Sequence, residues 1–76
     1  MNKTRRKSIE KIIERISVLK DELEAVQNEE QEVFDALPES LQATANGAKM
    51  DSCIGYIENA NDYLDEAVEY LNFCLE

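Results

Sequence analysis

The stretch IEKIIERISVLKDELEAVQNEEQEVFDAL, residues 9–37, decides how this chain folds. Label Ile9 as position a of a seven-residue repeat. The a row is then Ile9, Ile16, Leu23, Glu30 and Leu37, and the d row is Ile12, Leu19, Val26 and Val33. All but Glu30 are apolar over four heptads, a spacing that an α-helix lines up on one side and a β-strand scatters over both. Ile13 and Phe34, at e positions, widen the stripe to what a bundle helix needs. Ser8, or Thr4 before it, is a candidate N-cap. Pro38 stops the helix, because its ring pushes the preceding residue out of the α region. The pattern predicts a helix over 8–37, about 45 Å long.

A second repeat follows. Its a row is Met50, Ile57, Leu64 and Leu71, its d row Cys53, Ala60, Ala67 and Cys74, with Ile54, Val68 and Leu75 at e. This predicts a helix over 47–75. Residues 38–46 form the hinge, with Ser40, Thr44 and Asn46 as alternative caps and Leu41 as a candidate plug across the hairpin end. Two matched helices joined by a short connection pack antiparallel. The fold class is therefore all-α: an antiparallel two-helix hairpin, coiled-coil-like, in one domain whose residues 1–7 form a basic tail.

Charge sorting favours the same topology. Residues 1–20 hold seven cations against Glu10 and Glu14, whereas beyond them Lys49 alone faces fifteen carboxylates, for a formal net charge of −9. Folding about residue 42 brings Lys7, Lys11 and Arg15 alongside Asp65, Glu66, Glu69 and Glu76. A parallel pair would stack acid on acid.

Seventy-six residues give one small domain. Chains of this size rarely gain enough from one core, and a disulfide or metal staple is not to hand. Cys53 and Cys74 lie 21 residues apart on one helix, roughly 30 Å and out of bonding reach of each other. On the apolar stripe they are expected as buried, reduced thiols. Tyr56, Tyr63 and Tyr70, seven apart at g, make the second helix's apolar face wider than one partner helix covers. Association of two hairpins into a four-helix bundle is the expected closure.

Catalytic chemistry is not expected. Histidine is absent, which removes the commonest general base and metal ligand, and no phosphate-cradling glycine loop or clustered cysteine pair is present. The expectation is a non-enzymatic protein with no cofactor and no metal. Glu30, the one charge on the a row, reads as register control or local fraying, near Lys49, Gly55 or Tyr56. The candidate interaction surface is Tyr56, Tyr63 and Tyr70 with Asp62, Asp65, Glu66 and Glu69. Its carboxylates read as a solvated face, or as a phosphate-like array for a basic partner surface. The tail Lys3, Arg5, Arg6 and Lys7 is short and lacks interleaved aromatics, so direct nucleic-acid binding is not expected. No apolar run is long enough to cross a membrane, and no apolar segment follows the basic start as in a secretory signal; a cytoplasmic location is the default expectation.

The run Glu29-Glu30-Gln31-Glu32 followed by Ala36-Leu37-Pro38-Glu39-Ser40-Leu41-Gln42, then Gly47 and an acidic amphipathic helix, resembles small helical proteins encoded by phages and mobile elements of Gram-positive bacteria. They share an E-x-x-x-x-L-P-E-S-L-Q hinge between two long helices. The likeness spans residues 25–76, with LPESLQ as its distinctive part. It implies a phage- or prophage-borne accessory protein, a class in which acidic inhibitors of host enzymes are frequent. The expected partners are a second copy of the chain and an unidentified protein.

Overall fold

A computed structural model describes all 76 residues. The chain forms α1 (Lys3–Asp35), a single turn α2 (Glu39–Gln42) and α3 (Ala45–Phe73), with no strand. The first helix begins earlier than the heptad pattern suggests. The Asn2 side chain accepts from the Arg5 amide at 2.9 Å and caps it, while Ser8 lies within the helix and donates to the Thr4 carbonyl at 3.2 Å. Nothing in Lys3–Lys7 breaks a helix, so an asparagine before it suffices, and the basic tail is mostly helical. Pro38 stands at φ −57°, ψ 149° and ends the run.

Gln42, not Leu41, closes the hairpin end. Its side-chain amide donates to the carbonyls of Phe34 (3.0 Å), which also accepts from the Leu37 amide, and of Leu37 (3.1 Å), just past the end of α1. Leu41 is exposed. Of the three candidate caps, Thr44 is the one used: it accepts from the Gly47 amide at 3.2 Å. Gly47 sits in the turn because nothing larger fits. A Cβ there would stand 2.3 Å from the Gln42 carbonyl oxygen and 2.6 Å from that of Leu41.

The two long helices run antiparallel in one register. Arg6 donates to the Leu75 carbonyl, Asn61 to that of Lys20 at 3.3 Å, and Gln27 to that of Ile54 at 3.3 Å. In each pair the residue numbers add to 81. Apart from Gln31, the half-buried positions of α1 are Arg6, Ile9, Ile13, Ile16, Lys20, Leu23, Gln27, Glu30, Phe34 and, beyond its end, Leu37. Facing them are Gly47, Met50, Ile54, Ile57, Asn61, Leu64, Val68, Leu71 and Leu75. Both series step three and four residues alternately, the spacing of a two-helix seam.

This seam joins the a rows to the e rows, not to the d rows. Ile12, Leu19, Val26 and Val33 are exposed, as are Cys53, Ala60 and Cys74, so the cysteines are not the buried thiols the repeat suggested. The reason lies in α3. Its e row carries Ile54, Val68 and Leu75, whereas its d row carries only cysteine and alanine, so facing e inward buries more apolar area. Ile54 is the most enclosed side chain, 8% exposed.

The ion pairs also differ from expectation. Lys20 pairs with Asp65, and Lys7, Lys11 and Arg15 form no ion pair within the chain. Glu30, half-buried and level with Met50, likewise has none. The antiparallel orientation rests on the apolar seam, with charge contributing little at exposed positions.

The hairpin is a rod of 58 × 15 × 13 Å with 5853 Å² of accessible surface. A folded protein of 8.7 kDa exposes about 4,700 Å². The excess is what a rod two helices thick exposes over a compact body of the same mass.

The two glycines give opposite expectations. Gly55, in the open on α3, has nothing within 4 Å of its missing Cβ. Gly55→Ala is expected to stabilise by about 0.5–1 kcal/mol through helix propensity. Gly47→Ala is expected to destabilise by about 1–3 kcal/mol through overlap with two carbonyls. Thermal melts by circular dichroism at one fixed concentration read both; equal shifts of the same sign would contradict the packing described.

Candidate interaction surface

The position of the seam decides what the outside of the hairpin is made of. Successive residues of a helix turn by about 100°, so the d row lies about 80° to one side of the a/e seam and the b row about 80° to the other. Because α1 and α3 face each other and run in opposite directions, both d rows come to the same side. Leu19, Glu22, Leu23 and Val26 of α1 and the a-row Leu64 of α3 line one shallow groove on that side. The opposite side carries Lys20–Asp65 and the b-row residues Glu10, Glu24, Asp51 and Glu58.

One face is therefore apolar and the other charged. On the apolar face α1 presents Ile12, Leu19, Val26 and Val33, with Leu19 and Val26 each 51% exposed. In the register of the seam, Ala67 stands within two residues of the level of Ile12, Ala60 of Leu19 and Cys53 of Val26, so large side chains alternate with small ones across the face. The tyrosines continue it outward on α3, where Tyr56 and Tyr63 are each 71% exposed. Tyr70 packs edge-on to Phe73, centroids 6.1 Å apart.

The structure separates the residues that the sequence grouped as one surface. Tyr56, Tyr63 and Tyr70 share one row. Asp62 and Glu66 join Tyr63 and Asn59 around a shallow recess on the outside of α3. Glu69 is exposed in the outer row of Asp62. Asp65 departs from the group, turning to the charged face to hold Lys20. No group of three acidic or cysteine side chains is arranged to hold a metal ion. No helix is long and apolar enough to cross a membrane.

Two features escaped the heptad reading. The d row of α1, which the repeat places in the interior, is surface. Asn61 lies in the seam at the level of Lys20, with its amide nitrogen on the Lys20 carbonyl and its Oδ1 buried without a partner. The signal for Asn61 was present in the sequence: it continues the row Ile54, Val68, Leu75 at seven-residue spacing.

Comparison with protein families, characterised proteins and solved structures finds no match to this chain.

The buried Oδ1 generates a prediction. An unpartnered buried acceptor costs about 1–3 kcal/mol, and the Lys20 carbonyl lies within α1, where the helix's own ladder serves it. Asn61→Leu is therefore expected to raise stability by about 1 kcal/mol, or roughly 4–8 °C in melting temperature for a domain of this size. A lower melting temperature would show that the asparagine is satisfied and holds the seam together.

Proposed function

We propose that this protein is a non-enzymatic, acidic protein-interaction module that acts through the apolar face of its hairpin. One observation carries the reading: the face bearing Ile12, Leu19, Val26 and Val33 beside Tyr56, Tyr63 and Tyr70 is exposed along much of the rod. Contiguous apolar surface of that extent is costly to leave in water, and Tyr is favoured where protein surfaces meet. Every recess on the molecule is shallow and lined by three to five residues, which suits a docking helix better than an enclosed small substrate. The hinge resemblance supports a setting among phage or mobile-element accessory proteins that bind, and in some cases inhibit, proteins of the host.

A second reading has its own support. Asp62, Glu66 and Glu69 stand exposed on α3 with no cation beside them, an array that suits a basic, nucleic-acid-binding surface. In that case the charged residues, rather than the apolar face, do the binding.

Photo-crosslinking separates the two. A benzophenone amino acid is placed at Leu19 or Tyr63 on the apolar face, and at Glu58 or Glu69 among the carboxylates, in the intact chain expressed in cells. Adducts formed from Leu19 and Tyr63 and absent from Glu58 and Glu69 are expected, whether the captured protein is another molecule or a second copy. Adducts confined to Glu58 and Glu69 would replace the leading reading with the acidic one. No protein adduct from any site would end both.

A further inference from the structure

We propose that the apolar face is covered by a second copy of this chain, turned end for end, so that α3 packs antiparallel on α3 and α1 on α1 about a two-fold axis crossing the hairpin beside Tyr63. The proposal rests on the reading of that face as the working surface and names its occupant.

The first argument is the composition of the outer rows of α3. From Cys53 to Cys74 the d and g rows read Cys53, Tyr56, Ala60, Tyr63, Ala67, Tyr70, Cys74. They step three and four residues alternately, as a helix seam does, and contain no charge. The order is the same read from either end. In an antiparallel pair of identical helices, the seam rule seen within the hairpin sets Tyr63 against Tyr63 of the second copy and Tyr56 against its Tyr70. Ala60 then meets its Ala67 and Cys53 its Cys74. Small residues meet small residues, which lets the backbones approach, and aromatic rings flank them in pairs. Lys49, one step before Cys53, comes beside the second copy's Glu76, uniting opposite charges at both ends.

The second argument comes from α1 and is independent. Antiparallel pairing of its d row sets Leu19 against Leu19 and Ile12 against Val26 of the second copy. The g row then brings Arg15 against the second copy's Glu22, again opposite charges. This pairing centres the two-fold at Leu19. Within the hairpin, Tyr63 is level with residues 17–18, so the two helices place the axis at nearly the same height.

Area supplies the third argument. One face of a rod 58 Å long and 15 Å wide spans about 870 Å², and a stable interface takes about 800 Å² from each partner. A two-fold running parallel to the helices would also cover the face. It sets α1 on the second copy's α3 and leaves the cysteines of the two copies apart.

The test uses those cysteines in the intact protein at micromolar concentration. With diamide as oxidant, a Cys53 thiol and a Cys74 thiol of the other copy give up two electrons and two protons, forming one S–S bond and reducing diamide to its hydrazine. A covalent dimer is expected on a non-reducing gel. Cys53→Ser and Cys74→Ser are each expected to lose it, because like cysteines then lie about 30 Å apart. Mixing the two variants before oxidation is expected to restore it, since a mixed dimer holds one Cys53–Cys74 pair. Both positions are exposed in the hairpin, so the variants keep its fold, which circular dichroism verifies. No covalent dimer from the unaltered chain, or dimers from either variant alone, would overturn the proposal. If the arrangement fails while photo-crosslinks at Tyr63 capture a different protein, the interaction reading stands and the second copy is removed as the occupant.

Discussion

Everything in this molecule depends on which two rows of each helix meet. The seam joins the a rows, Ile9 to Leu37 and Met50 to Leu71, with the e rows, Ile13 to Phe34 and Ile54 to Leu75. Fixing that pair fixes the antiparallel register and places every other row. Apart from Arg6 on the Leu75 carbonyl at the open end, the polar contacts lie at the middle layers: Asn61 and Gln27 each donate to a backbone carbonyl of the other helix. Each such bond contributes only about 0.5–1.5 kcal/mol net, but a slip along the seam would leave the same groups half-buried and unpaired. They hold the register more than they add to stability.

The seam also distributes the apolar residues in a way that a lone hairpin would not favour. In α1 the row turned inward contains Lys20 and Gln27, while the row turned outward, Ile12, Leu19, Val26 and Val33, is wholly apolar. A two-helix protein gains most by burying its purest stripe. A helix with a, d and e all apolar instead has the pattern of a bundle member, which meets one neighbour along a/e and another along d. The exposed d row is the half of that pattern the single chain cannot use.

That division explains what was legible in the sequence and what was not. The two long helices, the stop at Pro38, the antiparallel pairing and both a rows follow from spacing and from the restrictions proline imposes. The second row of the seam did not, because d and e are both apolar enough and only 100° apart. A plain heptad reading pairs a with d, which puts Ile12 and Leu19 inside, and Cys53 and Cys74 with them. The decisive quantity was side-chain size on α3, where Ile54, Val68 and Leu75 outweigh Cys53, Ala60, Ala67 and Cys74. The early start at Asn2 and the closure by Gln42 depend on single side-chain hydrogen bonds that no periodicity encodes. Of the candidate surface, the tyrosine row was readable from its seven-residue spacing. The detachment of Asp65 from it was not, because that follows from the rotation of α3 about its axis.

Charge bears on how such a face is covered. At a formal −9 per chain, any partner that is itself acidic meets repulsion, and α3 shows carboxylates along nearly all of its exterior. Asp51, Glu58 and Asp65 follow one edge, Asp62 and Glu69 the row beyond it, and Glu66 stands in the outermost row. Between Cys53 and Cys74 the tyrosine and small-residue rows are the outward strip without a charge. A neighbour approaching along that strip keeps the flanking carboxylates in water, where interactions beyond about 8 Å are largely screened at physiological salt. An acidic helix is thus left one uncharged line of approach. The cations that would relieve the remaining repulsion, Arg15 on α1 and Lys49 at the start of α3, stand beside the apolar rows and not on the charged face.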